Sequence, residues 1–282
     1  MKKVIASSLF IAAMIGCAGK SYQPYTSSPS DSAELKVELK MPEANAASMA
    51  EVEIKAACPA GMIKIEGEYC PKDDAKCLYW VDLNGKKTNI DTDRCGEYRY
   101  PVHCLVPTKP MSYCIDQFKY PNKKGALPQD WLSFRDAEKI AKEEGKRLCT
   151  YSEYAFAALG PNNDPYPFGD HYHRDHSCNI DNHTKGLDVF KAKNSEDEAA
   201  IAIRKMQVPS GSLPNCVSSF GVHDMVGGVD SWVVNESGVP YISGLVGGHL
   251  FGVRNRSRAA TISHSPTFYW YETGTTLCAD VR

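Results

Sequence analysis

Ten cysteines, at positions 58, 70, 77, 95, 104, 114, 149, 178, 216 and 278, constrain this chain more than any other feature. In an oxidising compartment an even set pairs, and each pair ties two distant stretches together. In a reducing one the same residues are thiols or metal ligands. The first residues choose between these cases. Lys2 and Lys3 precede an apolar run, residues 4–15, that ends at Gly16 and an eleventh cysteine, Cys17. That is the order of a secretory signal: a charged start, an apolar segment too short to span a bilayer stably, and a small residue at the cut. The ten cysteines are therefore expected as disulfides. Zinc would need short paired spacings such as C-x-x-C, which none of them offers. Connectivity does not follow from the spacing.

The ending Met14-Ile15-Gly16-Cys17 resembles a bacterial lipobox with Met where Leu is usual. It assigns residues 1–17 to a lipoprotein signal peptide and Cys17 to lipidation. A single acyl chain anchors weakly, so such proteins carry further acylation on the new amine. Ala18 in place of Asp implies, by the same resemblance, the outer membrane, so the expected location is the cell envelope, lipid-anchored. Residues 18–57 are rich in Ser, Pro, Ala, Glu and Lys and read as a flexible tether, within which the alternating stretch 34–39 carries the pattern of an extra strand. Residues 58–282 form the domain. The chain of 282 residues is 43% hydrophobic and 23% charged, enough for a full core. A net charge of -2 with scattered basic residues excludes an electrostatic case for nucleic acid.

Two helices are signalled. Ser133 and Asp136 have N-cap spacing ahead of Phe134, Ala137, Ile140 and Ala141 on one face, with Gly145 as the stop. Thr150 and Glu153 form a second capping box, followed by Tyr154, Ala157 and Ala158 and stopped by Gly160. Residues 62–65 and 113–120 read as strands. Beyond residue 160 the chain is rich in Gly, Pro, Asn and Asp, a composition of long functional or irregular connections.

The order of short motifs resembles the formylglycine-generating enzyme (sulfatase-modifying factor) family. It runs through Met62-Ile63-Lys64-Ile65, then Tyr113-Cys114-Ile115-Asp116-Gln117-Phe118-Lys119-Tyr120-Pro121-Asn122, then Trp131-Leu132-Ser133-Phe134-Arg135-Asp136-Ala137. Gly145-Lys146-Arg147-Leu148 with residues 150–154 is similar to the family's GKRLPTEAEWE, with Cys149 replacing Pro. Tyr166-Pro167-Phe168-Gly169 and Cys178-Asn179 follow. Residues 220–232 are similar to YGLYDMVGNVWEW, and Gly247-Gly248 and Leu277-Cys278-Ala279-Asp280 to the RGGS and GFRCA endings.

The resemblance implies an α+β, C-type-lectin-like formylglycine-generating-enzyme fold with little regular secondary structure. Backbone polar groups in so irregular a fold must be satisfied by side chains, water or ions, so disulfides and calcium are the implied staples. One calcium site would use the Asp224 side chain, the carbonyls of Gly227 and Val229, and a glutamate where this chain has Ser231; Asp230, one residue earlier, is the alternative carboxylate. Asn179 and Ile180 match two ligands of a second site. Calcium takes about six to eight oxygens, so the missing glutamate weakens the first site. The resemblance places Cys149 and Cys278 at a helix start and the final strand, so they are expected to pair; Cys178 with Cys216 is a second expected pair, leaving the six cysteines between 58 and 114 to bridge among themselves.

Family enzymes oxidise a sulfatase cysteine to formylglycine with oxygen and a copper ion held by two cysteines just after the GG turn, where soft thiolates suit Cu(I). The matching stretch, residues 247–258, contains no cysteine, and Val253 stands near the second position. The thiolates that the resemblance implies for copper are therefore absent from this stretch. Imidazole and carboxylate ligands offer another route, through His249 beside the turn or the loop 171–183, which holds His171, His173, His176, His183, Asp175 and Asp181; the alternative is a solvated polar loop. The same stretch carries Arg254, Arg256 and Arg258, expected on one side of an extended strand as a binding groove for acidic peptides, glycans or carboxylates, with aromatic residues 268–271 beyond. The expected function is a non-catalytic binding or scaffold module of the envelope with a protein or peptide partner. The alternatives are a formylglycine-generating or other metal-dependent oxidase with a non-family site, or an unrelated enzyme on the scaffold.

Overall fold

Both sequence-predicted helices form, and their capping boxes close as the spacing requires. In the computed structural model, which describes residues 57–81, 94–172, 177–180, 182, 187–251 and 254–282, helix α1 spans Phe134–Glu143. The Asp136 N–H donates to Ser133 Oγ at 3.1 Å, and the Ser133 N–H donates to the Asp136 carboxylate at 2.9 Å. Helix α1 buries one face, Phe134, Ala137 and Ala141. Helix α2, Tyr151–Leu159, has the same reciprocal cap between Thr150 and Glu153, but every residue from Glu153 to Leu159 is buried. A helix apolar all round belongs inside a core, and α2 lies against Ile65, Tyr69, Tyr113 and Ile115. A third helix, α3 (Glu198–Arg204), and a 3-10 turn (Val189–Lys191) carry no strong sequence signal. Asp197 makes no cap bond to α3; its carboxylate accepts from the N–H groups of Lys193 and Asn194 instead.

Strand β1 (Met62–Tyr69) pairs antiparallel with a later strand, Lys109–Asp116, from Met62 opposite Asp116 to Tyr69 opposite Lys109. Between them in sequence lies a hairpin of β2 (Cys77–Trp80) and β3 (Cys95–Tyr98), so Lys109–Asp116 is β4. The segment 113–120 is therefore strand only to Asp116. The buried Asp116 carboxylate accepts there from Lys146 Nζ at 2.9 Å, Asn122 Nδ2 at 2.9 Å and the Leu277 N–H at 3.2 Å, and the chain turns out of the sheet. Strands β5 (Arg147–Leu148) and β10 (Leu277–Ala279) complete a sheet of order β1-β4-β10-β5. A second sheet, β8-β7-β6-β9, contains β6 (Asp230–Val234), β7 (Ser243–Val246), β8 (Ala260–Thr261) and β9 (Thr273–Thr275), with β6 and β9 parallel.

Among the described residues five disulfides join these pieces. Cys58–Cys114, Cys70–Cys104 and Cys77–Cys95 are nested around the β2–β3 hairpin, and Cys149–Cys278 and Cys178–Cys216 staple the remainder. Nested bridges hold a segment that contributes few residues to the main core. The motif Gly145-Lys146-Arg147-Leu148 is structural too: Arg147 makes two 2.7 Å bonds to Glu153 and one of 2.9 Å to Asp280, locking the start of α2 to the chain after β10. Cys17, residues 18–56, His173, His176, His183, Asp175, Asp181 and Val253 lie outside the described residues.

Candidate functional site

The Gly247–Gly248 turn follows β7 with both residues in the left-handed region, φ 89° and 65°. A Cβ on Gly247 would meet the Met225 carbonyl at 2.6 Å and Tyr154 Oη at 2.7 Å, so only glycine brings the chain this close to α2. Two backbone bonds tie this turn to the Gly227–Gly228 turn: the Gly227 N–H donates to the Gly247 carbonyl and the Leu250 N–H to the Gly228 carbonyl. The residues after both turns meet in a buried polar centre.

His249 is buried, with Nε2 3.0 Å from Oε2 of buried Glu272. The Phe251 N–H donates to Nδ1 at 3.4 Å, which makes Nε2 the protonated nitrogen and the donor to Glu272. Burial pushes His249 down to about 4. Burial, with the Asp230 carboxylate nearby, pushes Glu272 up to about 8, Arg254 opposing. Burial thus favours the uncharged form of each group. Alongside, Arg254 Nη2 bonds Oδ2 of fully buried Asp230 at 2.7 Å. Oδ1 of Asp230 and Oδ1 of Asn255 have no hydrogen-bond donor among the described residues.

The expected arginine strand is corrected by the structure. Residues 254–259 are bends and a turn, and Arg254 has a φ of 57°. Arg254 points to Asp230, while Arg258 crosses to Asp73, the Cys70 carbonyl and Asn163 Oδ1, lying over the Tyr69 ring at 5.5 Å. A carboxylate withdrawn from water needs a cation, and that requirement at buried Asp230 and half-buried Asp73 takes two arginines out of the row. Arg256 is half-buried in the same turn. His171, from the second candidate cluster, is half-exposed and bonds Asp170 at 2.6 Å.

The implied calcium ligands fit poorly. Lys119 Nζ donates to the Val229 carbonyl at 2.8 Å and to Ser231 Oγ at 2.9 Å, two of the positions the ion would need, while Asp224 Oδ2 accepts from the Gly211 N–H at 2.8 Å. Because successive residues of a strand face opposite sides, Asp230 does not substitute for Ser231: it faces Arg254, while Ser231 faces Lys119 and Thr276. At the second site Asn179 Oδ1 accepts from Asn182 Nδ2 at 2.7 Å, and the Asn179 carbonyl accepts from the Gly228 N–H at 2.9 Å. Ile180 packs its side chain against the disulfide Cys178–Cys216. Among the described residues no group of three or more His, Cys, Asp or Glu is arranged to hold a metal. Thiolate copper ligands do not fit either, since every cysteine among the described residues is in a disulfide.

Sequence reasoning missed Lys119 and Glu272. The signal for Lys119 was available as a charge exchange: an acidic residue missing at 231 and a lysine set between Phe118 and Tyr120 in an otherwise core-forming motif.

Residues 50–267 match the Sulfatase-modifying factor enzyme 1-like domain. No curated protein matches the chain in sequence. Among solved structures, CarF is 12% identical with a TM-score of 0.47, covering 79% of this chain and 99% of its own. PvdO from Pseudomonas aeruginosa is 15% identical with a TM-score of 0.45, covering 78% and 94%.

Proposed function

Because this chain belongs to the sulfatase-modifying factor enzyme 1-like domain family, yet has no thiol where that resemblance implies copper ligands, we propose that it is a non-catalytic binding or scaffold domain anchored in the cell envelope. Its fold is the family's α+β, C-type-lectin-like fold with five disulfides. The observation that carries the reading is chemical: residues 247–258 hold no cysteine, and the ten cysteines of the domain are bonded to one another. A disulfide sulfur is not the thiolate that Cu(I) selects. The ionisable groups in the equivalent position are paired, His249 with Glu272 and Asp230 with Arg254. Pairing of this kind supports a structural centre. It leaves partner recognition to the outer surface, where Leu78, Tyr79, Tyr100 and Leu105 are exposed on the disulfide-laced segment.

Two measurements test this. The purified protein, with its disulfides intact, is incubated aerobically with copper and a sulfatase-type cysteine peptide, and the peptide is read by mass spectrometry. No formylglycine is expected; turnover would sink the non-catalytic reading and direct attention to His249. Separately, Cys17→Ala is expected to move the protein from the membrane to the soluble fraction of the envelope. A variant that stays with the membrane would refute lipid anchoring at Cys17.

A further inference from the structure

We propose that the ammonium group of Lys119 is a built-in cation that replaces calcium at the loop of residues 224–231, so that this domain folds without calcium.

Lys119 follows β4 and is 2% exposed. Its Nζ spends its three hydrogens on the Val229 carbonyl at 2.8 Å, Ser231 Oγ at 2.9 Å and Tyr154 Oη at 3.2 Å. Two of these are positions that the family resemblance gives to a calcium ligand, and the carboxylates of Asp224 and Asp230 supply the negative field. A calcium ion would need the same oxygens at about 2.3–2.6 Å. A nitrogen at 2.8 and 2.9 Å from both fills that volume and repels a second cation. The charges also match: the resemblance implies a glutamate at 231 beside a divalent ion, and here a neutral serine stands beside a monovalent one. Losing one charge on each side preserves the local balance that a buried cation requires. The second implied site is satisfied internally, because Asn182 and Gly228 occupy the oxygens of Asn179.

Thermal unfolding of the purified protein is followed in excess EGTA and in millimolar calcium chloride. The two melting temperatures are expected to coincide. A structural calcium at saturating concentration would separate them by on the order of 5 °C or more, and a drop of that size in EGTA would overturn the proposal. The wild-type comparison depends on no variant. The complementary test is the double variant Lys119→Ala with Ser231→Glu, which removes the ammonium and restores the carboxylate. Its melting temperature is expected to rise with calcium, and a folded double variant indifferent to calcium would show that Lys119 does not stand in a cation's place.

Discussion

His249 Nε2 lies 3.0 Å from Glu272 Oε2 with both side chains buried, and burial drives the two groups to opposite protonation extremes, the histidine to about 4 and the glutamate to about 8. Their pH consequences have opposite signs. The unfolded histidine binds a proton below 6.5 that the native one refuses until about 4, so between those values stability rises with pH. The native glutamate keeps a proton, up to about 8, that the unfolded one releases at 4.5, so across that range stability falls as pH rises. The two cancel between 4.5 and 6.5. From 6.5 toward 8 the glutamate acts alone and stability declines; below 4.5 the histidine acts alone and stability declines with falling pH.

Glu272→Gln isolates the alkaline limb. It keeps a hydrogen-bonding group opposite His249, beside Asp230 and Arg254, but cannot ionise. The variant should gain melting temperature relative to wild type as pH rises from 6.5 toward 8. A difference between the two proteins that does not change over that interval would show that Glu272 is not protonated in the native state.

The pair of Asp230 and Arg254 should be costly to break. With Asp230 fully buried, Asp230→Asn strands the guanidinium without its counter-charge, a change of about 3–5 kcal/mol in unfolding free energy. It also removes a negative neighbour of Glu272, whose pKa should fall. Denaturant unfolding measures the first effect and pH-dependent melting the second. A loss below about 1 kcal/mol would place the pair among ordinary surface bridges.

Gly247→Ala tests the approach of the turn to α2. The new methyl group would meet the Met225 carbonyl and Tyr154 Oη in a backbone conformation with φ 89°. Destabilisation of more than about 1 kcal/mol is expected. Gly145→Ala serves as the control, since it has a positive φ but nothing within 4 Å of an added Cβ, and should be milder. Equal losses would mean that the close approach carries no energy.

The disulfide Cys149–Cys278 closes a sequence separation of 129 residues between the start of α2 and β10. Replacing both cysteines with serine should lower stability by about 2–5 kcal/mol. Because both cysteines are fully buried, the intact bridge should also resist reductants under native conditions. Rapid native-state reduction followed by mass spectrometry would contradict that burial.

The sequence by itself determined what depends on neighbours along the chain. The capping boxes at Ser133 and Thr150 and the stops at Gly145 and Gly160 are local hydrogen-bond and backbone-angle requirements, and they located α1 and α2. The ordered motifs identified the family, and the absence of cysteine from residues 247–258 was visible at once. Tertiary structure decided what depends on contacts across the fold. Helix α3 is short and uncapped, so packing of Ala200 and Ile203 against Leu250 and Tyr271 sustains it. The alternation of Arg254, Arg256 and Arg258 suggested a strand, but the carboxylates of buried Asp230 and half-buried Asp73 pull the first and last into separate pairs. Lys119 is the clearest case. A lysine is expected at the surface, and only the meeting of β4's end with the start of β6 and with Tyr154 makes a dry cage of oxygens in which its charge is held.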